Sequence, residues 1–148
     1  MIEKVTQTCG SASVADLPVS DEEWLARYIL RKDHVRQDGT VKPDPFIPHP
    51  YADLSLTRHL GLDEREIWST GTKVAEQVAE KLRGATLQGR ADAQARLYRQ
   101  RGLRVEAVPV KENANHANVI GWPPDKPSQK EIALLIARGV AYKPRPQA

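Results

Sequence analysis

Cysteine occurs once and phenylalanine once in the 148 residues, and aromatic side chains make up only 5% of the chain. A single cysteine, Cys9, excludes an internal disulfide and a cysteine-built metal cage, which fits a reducing compartment. The shortage of aromatic rings leaves the core to Ala, Val, Leu and Ile. No apolar run approaches the roughly 18 residues that a membrane span needs. The N-terminus also lacks the basic-then-apolar layout of a signal peptide. A cytoplasmic protein without a membrane partner is therefore expected. Motifs are missing too. The 4 histidines are far apart, with neither H-E-x-x-H nor C-x-x-C, so no metal and no cofactor is implied. Neither a nucleophile elbow nor a phosphate-binding P-loop occurs.

What is present fits one ordinary domain. At this length folding buries roughly two-thirds of the chain's surface, and 40% hydrophobic with 28% charged residues is the balance of a globular protein. The net charge of +3 comes from 22 basic and 19 acidic residues. That excess is too small to establish a nucleic-acid partner.

Residues 1–19 have no sustained period and read as a flexible arm, and residues 143–148 as a flexible tail. Between them, 20–142 read as one α+β domain with four to five helices and a small, mostly antiparallel sheet. Ser20 and Glu23 have capping-box spacing, and Trp24, Leu25, Tyr28 and Ile29 fall on one helical stripe, predicting a first helix. Asp38-Gly39 is a turn signal. The prolines of 42–51 fix an extended segment, whose Phe46 and Ile47 lie against the core. Leu54 and Leu56 alternate with Ser55 and Thr57, which predicts a half-buried strand. Asp63 with Glu66 is a second capping box, opening a two-turn helix that Gly71 breaks. Residues 73–83 then form a separate helix. Residues 89–101 read as a helix with Ala91, Ala95 and Tyr98 inward. Residues 103–110 read as a strand, and 117–122 as another running antiparallel to it. Ser128 and Glu131 cap a last helix through Ile132, Leu135 and Ile136.

Asp38-Gly39, Pro45-Phe46, Leu54-Ser55-Leu56, and Asn113 to Ala117 together resemble a layout of small uncharacterised bacterial proteins. Those proteins carry a DG…F…LSV first half and a P…HA second half. Leu56 stands where valine is usual. The resemblance spans residues 28–140 and implies no activity, only that the two loops belong to one unit.

The richest stretch in specific polar groups is 113–123. His116 is its main candidate, because imidazole titrates near neutrality and serves as an acid, a base or an anion contact. His34 is a second catalytic candidate. Asn115, His116, Trp122, Arg58 and His34 form the candidate ligand-binding set. The primary expectation is a non-enzymatic binding or accessory domain with a protein partner, its contact surface the His/Asn/Trp loop. A first alternative is a small enzyme for a phosphate- or nucleotide-containing substrate, with a histidine as acid/base and Arg58 as anion clamp. A second is nucleic-acid binding through an arginine-rich helix at 90–104, presenting Arg90, Arg96, Arg99 and Arg101. Such a helix would bind phosphates in a salt-dependent way.

Overall fold

The computed structural model describes residues 16–48 and 53–147. The readings placed on Cys9, on the end of the proline segment 42–51 and on most of the N-terminal arm lie outside them. Along the chain come β1 (Trp24–Ile29), β2 (Leu54–Arg58), α1 (Glu64–Ala79), β3 (Gly89–Gln94), α2 (Ala95–Arg99), β4 (Arg104–Ala107), β5 (His116–Ile120), α3 (Lys126–Gly139) and β6 (Ala141–Pro144). The strands form a single six-stranded sheet in the order β4-β5-β2-β1-β3-β6. Every neighbouring pair is antiparallel.

This corrects the expected architecture of four to five helices on a small sheet. The described residues hold three α-helices, and the sheet dominates. The expected first helix is β1, which pairs with β3 over its whole length. Its buried residues Leu25, Ala26, Tyr28 and Ile29 fall in pairs because helices cover both faces of the sheet. A strand buried on both sides loses its alternation and imitates helical spacing. The expected helix at 89–101 divides into strand β3 and the five-residue α2. Its run of Gly, Ala, Arg and Asp is poor in β-formers. Small residues suit its place in the sheet, since a Cβ on Gly89 would collide with the Tyr142 ring.

Other expectations hold. Leu54–Arg58 is a strand, and β4 and β5 run antiparallel as read. Asp63 and Glu66 form the reciprocal capping box of α1, but the helix continues through Gly71 instead of breaking there. α3 is capped by Asp125, whose side chain accepts from the Ser128 amide, so its start lies upstream of the expected one. Two segments assigned to flexible ends belong to the fold. Val19 is buried in the core, and Lys143 and Pro144 pair with β3.

Register assigns the two faces. One face carries Leu25, Ile29, Leu54, Leu56, Val105 and Val119, which pack with Phe46, Tyr98, Trp122 and Ile136 as the main core. Phe46, set in the 3-10 turn Asp44–Phe46, is fully buried there. On the other face Ala26 and Tyr28 meet Ile67, Ala75 and Leu87 under α1. Tyr28 donates to the Ile67 carbonyl at 2.5 Å.

Candidate functional site

β1 and β2 are central neighbours, yet their ladder contains only the pairs Leu25–Arg58 and Ala26–Thr57. Beyond Ala26, β1 stays paired with β3 to Ile29, and β2 stays paired with β5 back to Leu54. The two strands therefore part in mid-sheet. A groove of about 510 Å³ occupies this region, lined by residues from both faces of the sheet. That is the size range of small-molecule sites.

One wall is apolar: Val74, Val78 and Leu82, four residues apart along α1 and its continuation. Leu82 and, across the groove, Val110 are among the few large hydrophobic side chains exposed to solvent. The polar part of the lining comes from Ser55 and Thr57 of β2, from Asn113 and His116, and from Arg27, Arg31, His34 and Asp44 of β1 and the segment after it. His34 and His116, chosen from sequence and distant along it, thus share one site.

His116 stands at the start of β5, directly across from Thr57. Its Nδ1 lies 3.0 Å from the Val108 carbonyl. A carbonyl only accepts, so Nδ1 carries the proton and Nε2 of the neutral ring is an acceptor. His34 ends the 3-10 turn Lys32–His34. Burial pushes its pKa below the ordinary 6.5, partly offset by Asp33 and Asp44, so the ring is neutral at pH 7.

The remaining candidates serve the fold. Asn115 donates from Nδ2 to the carbonyls of Arg58 at 2.9 Å and Leu60 at 2.7 Å, clamping the 113–116 turn to the end of β2. Asn113 donates to Thr57 Oγ1 at 2.9 Å. Trp122 is buried, its indole N–H donating to Val119 O at 3.0 Å. Arg58 is also buried, on the main-core face, where its Nε and NH2 hold Glu23 and NH1 donates to Leu17 O at 2.7 Å. It contributes nothing to the groove.

The arginine series does not make one surface. Arg90 lies in β3 beneath α1, 1% exposed, bonded to Asp92 and Glu64 with its guanidinium 4.7 Å from the Trp68 ring centroid. Arg96 pairs with Glu22 at 3.0 Å and Arg99 with Asp21 at 2.7 Å. Arg101 is exposed at the end of α2. The expected basic helix was an artefact of reading β3 as helical.

Sequence reading missed Arg27 and Ser55 as site residues. Arg27 donates from Nε to Pro45 O at 2.8 Å and from NH1 to Ser55 O at 3.1 Å. One signal was available: a lone charge inside Leu25-Ala26-Arg27-Tyr28-Ile29. Placed on a helix, that charge points to solvent and passes unnoticed.

Among the described residues no group of three His, Cys, Asp or Glu side chains is arranged to hold a metal ion. No helix among them is long and apolar enough to cross a membrane. No protein-family model matches the chain, and no curated protein or solved structure is similar enough to count as a match.

Proposed function

We propose that the chain is a non-enzymatic binding domain whose contact surface is the groove between the parted strands. The carrying observation is the groove's mixed lining: the apolar Val74, Val78 and Leu82 of α1 and its continuation share it with polar groups that include His34 and His116. Ligand sites combine apolar lining with a few placed polar groups in this way. The 113–116 turn, expected to be the contact surface itself, instead holds His116 in position through its bonds to β2. A binding role also accords with the hydroxyls near His116. Thr57 is buried and already bonded to Asn113, and among the described residues neither it nor Ser55 is hydrogen-bonded to an imidazole.

The test is a titration with 1-anilinonaphthalene-8-sulfonate followed by amide NMR shifts. Saturable perturbations are expected at Tyr28, Ser55, Val78 and His116, and Val78→Glu should weaken binding at least tenfold. Perturbations mapping elsewhere, or unaffected by Val78→Glu, would overturn the reading.

A second reading has one observation in its favour. His116, with Nε2 as acceptor, shares its groove with Arg27, and that combination is also suited to a phosphate-containing substrate. Turnover of nucleoside monophosphates or 4-nitrophenyl phosphate, lost in His116→Ala, would establish it. Absence of turnover would remove it.

A further inference from the structure

The buried arginines of this fold are matched by carboxylates with one exception. Arg58 holds Glu23, and Arg90 holds Asp92 and Glu64. Arg99, only partly exposed, holds Asp21. Arg27 is half-buried in the middle of β1, and it forms no ion pair with any described residue. Its acceptors are two neutral carbonyls, those of Pro45 and Ser55. Its NH2 reaches no acceptor among the described residues, and it is not one of the sealed polar atoms that lack a partner. An arginine remains charged at any physiological pH. A half-buried cation with no carboxylate partner and a donor still open is a ready site for an anion, which completes its hydrogen bonding.

The surroundings do not supply one. Among the described residues Asp44 is the only acidic one lining the groove, and it is itself exposed. Arg31 adds a second positive charge in the same groove, in an exposed pair with Asp33. With Arg31 taken up by Asp33, Arg27 is the lining cation that has no carboxylate partner among the described residues, and the apolar residues Val74, Val78 and Leu82 line the same groove.

We infer that the groove takes a small organic anion, a carboxylate or phosphate ester with an apolar or aromatic body, and that Arg27 anchors its oxyanion. The inference rests on the binding role proposed above and names the ligand class of the same site. The oxyanion supplies the charge that Arg27 lacks, and a planar carboxylate or phosphate suits the donor geometry of a guanidinium. The apolar body covers Val78 and Leu82. The imidazoles of His34 and His116 offer further polar contacts in the same groove. By this account the ligand closes the gap between β1 and β2, joining the strands where their own ladder stops.

The experiment compares ligands that share one apolar body. Dissociation constants for 2-naphthoate, 2-naphthyl phosphate and neutral 2-naphthalenemethanol are measured by calorimetry on the full chain. At least one anion is expected to bind tenfold or more tightly than the alcohol, and which anion wins separates carboxylate from phosphate sources. Adenosine monophosphate, as a further arm, tests whether a nucleotide is the phosphate source. Arg27→Met should bring the anions to the affinity of the alcohol, whose own binding changes less than twofold. Arg31→Gln should retain the discrimination. If Arg27→Met does not fold by circular dichroism, wild-type salt dependence decides the matter. Between 50 and 500 mM NaCl, anion binding should weaken while alcohol binding stays constant. Equal affinity for anion and alcohol would overturn the anion inference and leave the binding groove standing. Failure of all these probes to bind would take the groove reading down with it.

Discussion

Arg27 NH1 and the Ser55 carbonyl meet at 3.1 Å across the gap between β1 and β2. The amide of His59 donates to Trp24 O at 3.0 Å, which sets the phase of the ladder. Hydrogen-bonded pairs alternate along an antiparallel ladder, so an unbroken one would next join Tyr28 to Ser55. The guanidinium takes that place, satisfying a carbonyl that the parted strands leave open. Arg27→Met should thus cost stability even without ligand, because the part-buried Pro45 carbonyl and the Ser55 carbonyl lose their donor. A loss of about 1–3 kcal/mol is expected, measured by urea denaturation. A fully stable variant would mean that the carbonyls find other donors.

Gly71→Ala should destabilise, although alanine is the better helix former by about 1 kcal/mol. A Cβ at this position would stand 2.6 Å from Tyr28 Cε1 and 2.8 Å from Cδ1. Either the ring or α1 must move, and overpacking of this kind costs about 1–3 kcal/mol. Because α1 forms the apolar wall of the groove, binding of 2-naphthoate should weaken as well. Thermal unfolding and calorimetry check the two effects separately.

Tyr98→Phe should be tolerated. Its side chain is fully buried, and its hydroxyl has no hydrogen-bond partner among the described residues. Burial pushes the phenol's pKa up, so the ring stays neutral. Removing an unsatisfied buried hydroxyl while keeping the ring is neutral or stabilising by about 1 kcal/mol. A loss of stability on denaturation would show that the hydroxyl is satisfied in solution.

Acidification should weaken the fold through His34. Its folded pKa is lowered by burial, against the raising influence of Asp33 and Asp44 and with a further lowering from Arg31 and Lys42. Below the ordinary 6.5 the unfolded chain takes up a proton that the folded chain refuses. This contribution is constant above that pH, is lost as pH falls through the folded value, and then levels off. Urea denaturation at pH 7.5 and 5.0 should show a smaller pH effect in His34→Gln than in the wild type. Equal slopes would mean that His34 titrates normally.

Legibility from sequence followed the local signals. The Asp63–Glu66 capping box was readable because a cap depends on a few adjacent residues. The alternation of Leu54-Ser55-Leu56 was readable because Ser55 is exposed between buried leucines. β1 and β3 were not readable, since both are covered on two faces and their patterns carry no strand period. That single misreading also displaced Arg27 and Arg90, the first hidden from the site and the second counted as a surface charge. His34 and His116, chosen as candidates from residue chemistry alone, line one groove. Their convergence depends on the sheet order, which no local pattern encodes. Arg58 looked like an anion clamp, and its anion turned out to be Glu23 of the same chain.

The short ladder between β1 and β2 has a dynamic consequence. Two ribbons of three strands, β4-β5-β2 and β1-β3-β6, are continuous within themselves. Along the sheet they are stitched to one another by two residue pairs, the Arg58–Glu23 ion pair, the His59 contacts with Trp24 O and Asp92, and the Arg27 bond to Ser55. Such a seam is where a sheet divides into separate cooperative units. Native-state amide exchange should therefore resolve two protection classes, one per ribbon, with Ala26 and Thr57 on the border between them. A single uniform class would show that the helices, not the strands, hold the halves together. Were the seam to open and close in this way, a ligand would enter by parting one half of the molecule from the other, with no lid to lift.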